Sequence, residues 1–265
     1  MEPVDRFVSV NGLRFHYVDW PNDQGPALVA LHGISSQARM WDGLAAAIGD
    51  RWRLVAPDLR GHGQSEWAAD YSPLRMAEDV AQLVTHLGPS KFNLIGHSMG
   101  GRVAMLYAGM HPDAIERLVI SDIGPDRSGA PPALPRRREF ATIDEARDEV
   151  KRLRGTAPTT DALRHNLRQR EDGRWVWRYD PELLTKRSPV DRDRFWSALR
   201  NMPAPVLVLR GANSTVLSRS SAETMVAAIP HGSLVEIAGT GHGLWMERPR
   251  EFAEAVRLFL TDVTS

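Results

Sequence analysis

Asn93-Leu94-Ile95-Gly96-His97-Ser98-Met99-Gly100-Gly101 is the stretch whose reading decides the fold. A short apolar run, Phe92–Ile95, passes directly into Gly-x-Ser-x-Gly, and a helical stretch, Arg102–Met110, follows. A serine at such a strand-to-helix corner sits on a strained turn, and its neighbours two residues away must be tiny for the backbones to approach. The helix that follows places its N-terminal amides beneath the hydroxyl, where negative charge develops in acyl transfer. The grammar marks Ser98 as a candidate nucleophile.

The same alternation extends in both directions. Asn11-Gly12 reads as a hairpin turn between Phe7–Val10 and the alternating Leu13–Val18. Unbroken apolar runs recur at Ala27–Leu31, Leu54–Ala56, Phe92–Ile95, Leu118–Ile120, Val206–Leu209 and Leu234–Ile237, each bounded by turn-forming residues. Strands buried on both faces look like this. Between them, Met76, Val80, Leu83, Val84 and Leu87 form one helical stripe, opened by Ser72-Pro73 and closed by Gly88. Phe252, Val256, Phe259 and Leu260 repeat the pattern after Pro249. Strands alternating with helices predict a mostly parallel sheet covered on both faces.

One stretch breaks the alternation. From about Gly124 to Pro203 no buried-strand run occurs, and the composition turns polar and Arg-rich, with Arg136-Arg137-Arg138 at its start. A structureless loop that long is uncommon in a compact domain, so an inserted helical subdomain is expected. Helices are read at Ile143–Arg154 and Asp191–Leu199, and a turn at Glu171-Asp172-Gly173. The Pro-rich Pro125–Pro135 reads as a linker, and the insertion's aromatics, among them Phe140, Trp177 and Phe195, need a surface to pack on. The predicted organisation is an α/β core from residues 1–123 and 204–265 with a helical cap over 124–203.

Composition removes several classes of function. The 265 residues carry 33 basic and 33 acidic side chains and no cysteine, so there is no disulfide framework, thiolate metal site or cysteine nucleophile. Zero formal charge argues against a nucleic-acid partner, and 30 arginines against 3 lysines is a compositional bias balanced by interleaved acids. The acidic Met1–Arg6 start has no secretory character, and nowhere do 18 apolar residues run together. A soluble cytoplasmic protein with no membrane partner is expected. No His-x-x-x-His pair or dinucleotide fingerprint is present, so no metal and no cofactor is expected.

With these residues in view, the chain resembles the α/β-hydrolase fold family, in particular its serine esterase-like members with a helical lid. The matching pieces are Leu31-His32-Gly33, Pro57-Asp58-Leu59-Arg60-Gly61-His62-Gly63-Gln64-Ser65, the Ser98 corner and Gly239-Thr240-Gly241-His242-Gly243. The resemblance implies an eight-stranded, mostly parallel sheet. It also implies an oxyanion hole from the backbone amides of Ile34 and Met99. His242 stands where the family puts its base. His97, beside the serine, reads as packing, and His32 and His62 as braces for their loops. His16, His86, His111, His165 and His231 read as surface or helix residues.

The acid is where the sequence departs from the family. Relatives with a similar Arg-Gly-x-x-Ser stretch tend to carry Asp where Thr215 stands, and no carboxylate follows Arg210-Gly211 before Glu223. Some family members draw the acid from the end of the preceding sheet strand. Here that position is Asp122, in Ser121-Asp122-Ile123-Gly124-Pro125, and it keeps the order Ser, acid, His. The alternatives are Asp122 as the acid, or an acid lost at Thr215.

The expected activity is hydrolysis of a small-molecule carboxylic ester, with Trp41, Leu244, Trp245 and one of the lid tryptophans lining an apolar pocket between sheet and lid. Ser98 at the corner disfavours the family's carboxylate-nucleophile branches. Hydrolysis of a carbon–carbon bond or a lactone, perhydrolysis, and weakly catalytic ligand reception remain open, as does the choice between monomer and homodimer.

Overall fold

The computed structural model describes residues 2–126, 135, 137–155, 157–186 and 191–262. Most of the Pro-rich linker read at Pro125–Pro135, and Arg136 of the arginine run, lie outside the described residues.

The chain opens with β1 (Val4–Val10) and β2 (Leu13–Trp20), an antiparallel hairpin closed by Asn11 and Gly12. It continues through β3 (Ala27–Leu31), α1 (Asp42–Ile48), β4 (Arg53–Pro57), α2 (Pro73–Leu87), β5 (Phe92–His97), α3 (Met99–Met110) and β6 (Ile115–Ser121). An excursion follows: β7 (Glu139–Phe140), α4 (Ile143–Arg154), α5 (Thr160–Arg164), β8 (Leu167–Gln169), β9 (Trp175–Trp177) and α6 (Arg192–Arg200). The chain then returns with β10 (Val206–Gly211), α7 (Arg219–Ala228), β11 (Gly232–Ile237), α8 (Leu244–Glu247) and α9 (Pro249–Thr261).

Eight strands form one sheet in the order β1-β2-β4-β3-β5-β6-β10-β11. The β1–β2 and β2–β4 pairings are antiparallel and the other five are parallel. Every apolar run read from the sequence lies within one of these strands. Because side chains alternate across a strand, one run serves two cores. Val29 and Leu31 face α2, α3, α6 and α7, in a cluster with Val80, Val103, Phe195 and Met225. Leu28 and Ala30 face α1 and α9, in a cluster with Ile48, Phe252 and Val256. Helix α2 begins and ends as its sequence predicts: Ser72 caps it through the Arg75 N–H, and Gly88 closes it in the left-handed conformation (φ 81°).

The excursion between β6 and β10 is not purely helical, which corrects the sequence expectation. β7, β9 and β8 form a three-stranded antiparallel sheet in that order. Phe140, Trp177 and Tyr179 pack there with Ile143, Ala146 and Leu163 of α4 and α5 as a separate small core. α6 instead buries Phe195 and Leu199 in the main core. The excursion is fastened to the rest of the chain by Asp180 N–H to Gly61 O (2.8 Å), Tyr71 N–H to Lys186 O (2.9 Å) and the Tyr71 hydroxyl to Asp180 (2.5 Å). Among the described residues, no helix is long and apolar enough to cross a membrane.

Candidate active site

β5 delivers Ser98 to the mouth of the sheet with φ 54° and ψ −117°, a conformation that L residues rarely adopt and that costs on the order of 1–3 kcal/mol. Neighbouring backbone holds it there: Ser98 N–H donates to Ser121 O (2.9 Å), and Gly101 N–H donates to Ser98 O (3.0 Å). The flanking glycines have no alternative. A Cβ at Gly96 would lie 2.3 Å from Gly100 O, and one at Gly100 would lie 2.3 Å from Leu31 O.

The adjacent strand β6 is followed directly by Asp122, which is fully buried and also at positive φ (51°). Its N–H donates to Leu209 O (2.8 Å), and its Oδ1 accepts from Gly211 N–H (3.1 Å). Oδ2 accepts from the Ser214 hydroxyl and lies 2.7 Å from His242 Nδ1. His242, in the loop between β11 and α8, turns its other nitrogen to Ser98: Nε2 and Oγ are 3.0 Å apart. A carboxylate at Nδ1 places the proton there and leaves the Nε2 lone pair facing the serine hydroxyl. The Asp122 side chain is closed to solvent while that of His242 is 24% exposed.

The backbone expected to hold an oxyanion runs beside the serine. A Cβ at Gly33 would lie 3.4 Å from Ser98 Cβ, which places the Gly33-Ile34 segment against the corner. Met99 is the first residue of α3. Among the described residues, neither the Ile34 nor the Met99 amide donates to a protein acceptor. His32 braces this loop. Its Nε2 accepts from Leu59 N–H (2.9 Å), so Nδ1 carries the proton and donates to Gly33 O (2.7 Å). Burial, partly countered by the charge of Asp58, keeps His32 below the usual imidazole value. His62 is buried beside it and is pushed down to about 3 by that burial and then by His32.

The structure therefore brings Ser98, His242 and Asp122 together and leaves Thr215 exposed on the loop after β10. His97 is buried, with Nδ1 3.1 Å from Ser121 Oγ and its ring 4.7 Å from that of His242. Two expectations fail. Trp41 and Leu244 have no exposed surface; they pack in the α1–α9 core, Trp41 against Phe252. Trp245 is half-buried against that same cluster. His16, read as a surface residue, is 2% exposed and lies between Asp58 (2.7 Å from Nδ1) and Asp5 (2.8 Å from Nε2).

Three participants escaped the sequence reading. Ser214 bonds the buried carboxylate; its position in Arg-Gly-x-x-Ser, in the loop where the family resemblance expects an acid, was the available signal. Asn166 bridges the excursion to the loop after Ile34, accepting from Gln37 Nε2 (3.1 Å) and donating to Ser35 O (3.5 Å). Asp58 accepts from Ala38 N–H (2.7 Å), Gln64 N–H (2.8 Å) and His16, and so ties the loop after β4 to the loop after β3. Among the described residues, no group of three or more His, Asp or Glu side chains is arranged to hold a metal ion.

A parallel sheet with this corner, and with an imidazole reaching it from the loop after the last strand, defines a class. The sequence profile of the alpha/beta hydrolase fold matches residues 26–249, and the chain belongs to that family. Among curated relatives it is 32% identical to the 3-hydroxybutyrate-oligomer hydrolase of Cupriavidus necator, over 95% of each chain. It is 29% identical to an esterase of Mycobacterium tuberculosis, over 88% of this chain and 82% of that one. Among solved structures, an alpha/beta hydrolase from Novosphingobium aromaticivorans superposes with a TM-score of 0.82 at 29% identity, over 98% of both chains.

Proposed function

We propose that the chain is a serine hydrolase of carboxylic esters that works through an acyl-enzyme, with Ser98 as nucleophile, His242 as base and Asp122 as the acid that orients it. The observation that carries this reading is the unbroken relay of 3.0 Å and 2.7 Å contacts from Ser98 through His242 to Asp122. The ester-hydrolase names of its relatives support the same substrate class.

Ser98 Oγ attacks the acyl carbonyl while His242 Nε2 takes its proton. The Ile34 and Met99 amides hold the tetrahedral oxyanion, and Asp122 stabilises the imidazolium that forms. His242 then returns the proton to the departing alkoxide, and the acyl group stays on Ser98. Water, deprotonated by His242, attacks this ester and releases the carboxylic acid, restoring the serine. The excursion between β6 and β10 acts as the cap that encloses the guest, and the Asn166–Ser35 contact is how it reaches the oxyanion loop.

Steady-state hydrolysis of a p-nitrophenyl ester series tests the proposal. The native chain turns over many times per site, and Ser98→Ala lowers turnover by about 10⁶. Native-like turnover in Ser98→Ala refutes it.

A further inference from the structure

We propose that the cap excursion carries a second ligand site, separate from Ser98, for an anionic amphiphile: a single oxyanion on an apolar body. The site is a cavity of about 680 Å³ lined by Trp67, Trp177, Tyr179 and Leu184 together with Arg138 and Arg168. Its volume is that of a small-molecule pocket, which spans about 300–1,000 Å³. None of Ser98, Asp122 and His242 contributes to its lining, so it does not rest on the ester-hydrolase reading.

Two observations point to the ligand. The first is charge. The chain as a whole is neutral, yet the described residues of the lining include three arginines and no carboxylate. Arg170, the third of them, is already paired with Glu139 (2.6 Å) and Asp172 (3.0 Å). Among the described residues, Arg138 and Arg168 have no acidic partner within ion-pair distance, while the nearby Glu139 is taken up by Arg170 and Arg174. A guanidinium with its donor fork free is suited to a carboxylate or phosphate oxygen pair.

The second observation is the apolar wall. Trp67 and Leu184 are each 50% exposed, and both line this one cavity. Trp177 and Tyr179 stack there with ring centroids 5.9 Å apart. Exposed apolar surface gathered in one place marks a binding surface, and here it adjoins the unpaired cations. An uncharged lipid leaves the guanidinium groups unused, and an inorganic anion leaves the Trp67 indole in water. An alkyl or aryl carboxylate or phosphate uses both.

Calorimetric titration of the full chain, with tryptophan fluorescence as a second signal, tests the site using octanoate, octyl phosphate and 1-octanol. Octanoate or octyl phosphate binds saturably, and the tighter of the two identifies the oxyanion. Octanol binds at least about tenfold more weakly. Arg138→Ala with Arg168→Ala raises the dissociation constant of the anion by about tenfold or more, Trp67→Ala weakens it independently, and Ser98→Ala leaves it unchanged. All of these side chains but that of Ser98 are exposed, so an unchanged melting curve separates loss of the site from loss of the fold. Absence of saturable binding, equal binding of octanol, or loss of binding in Ser98→Ala but not in the arginine variants overturns the proposal.

Discussion

Among the described residues, four other than glycine hold positive φ: Asn11, Ser35, Ser98 and Asp122. Asn11 belongs to a hairpin turn; the other three surround the candidate site. Strain of this kind persists only where the surroundings over-determine it, and it gathers at functional positions. At Asp122 the surroundings are its N–H bond to Leu209 and the Gly211 amide on its carboxylate. That burial makes its charge hard to replace. Asp122→Asn is expected to lower turnover by about 10⁴ with the fold intact, since an amide neither fixes the imidazole tautomer nor balances its charge. Thr215→Asp changes turnover less than about threefold, because position 215 is exposed on the neighbouring loop. Steady-state kinetics of the two variants decides between them, and a large gain in Thr215→Asp would mean that the acid belongs at 215. Sequence alone left that choice open, because only tertiary packing tells which strand end meets the last loop.

At the scale of elements, the strands were legible because each is a buried apolar run between turn residues, and α2 because its cap, stripe and terminal glycine agree. The small sheet of the excursion was not legible. Its strands are two or three residues long, too short to display alternation, and the surrounding arginines read as solvent-facing. Trp41 was misplaced for another reason: nearness in sequence to the oxyanion loop does not say to which face of the sheet a side chain turns. Its burial predicts that Trp41→Ala lowers stability by roughly 3–5 kcal/mol, measured by denaturant unfolding, with no selective rise in KM. A rise in KM at unchanged stability would return Trp41 to the pocket. The corner between β5 and α3 is stricter still. Gly100→Ala drives a methyl into the Leu31 carbonyl and is expected to abolish turnover together with a drop in melting temperature. Active, fully stable Gly100→Ala protein would mean that the corner has room the geometry denies.

For the molecule as a whole, the buried His16–Asp58 pair fastens the N-terminal hairpin to the loop after β4 and sets a pH dependence of stability. Burial pulls the His16 value down, but the bond and charge of Asp58, and then those of Asp5, raise it above the usual 6.5. Burial pushes Asp58 up, but the bond and charge of His16 leave it below the usual 3.8. The imidazole's contribution is therefore complete below pH 6.5 and fades as pH rises through the raised folded value. The carboxylate's contribution is complete above pH 3.8 and is lost as pH falls through the lowered one. The melting-temperature gap between the native chain and His16→Gln should be widest between these limits and should narrow at alkaline pH. A gap that widens with pH contradicts the assignment. The sequence could not reveal this pair, since a lone histidine in an alternating strand carries no sign of a partner 42 residues away.

The central claim, that Ser98 is a nucleophile activated by His242, meets its most direct test in covalent labelling of the folded chain with a fluorophosphonate, followed by tryptic digestion and mass spectrometry. A single stoichiometric adduct is expected on the peptide Phe92–Arg102, placed on Ser98 and absent from His242→Ala. That peptide unmodified in folded protein, or the adduct on a different serine, would contradict it.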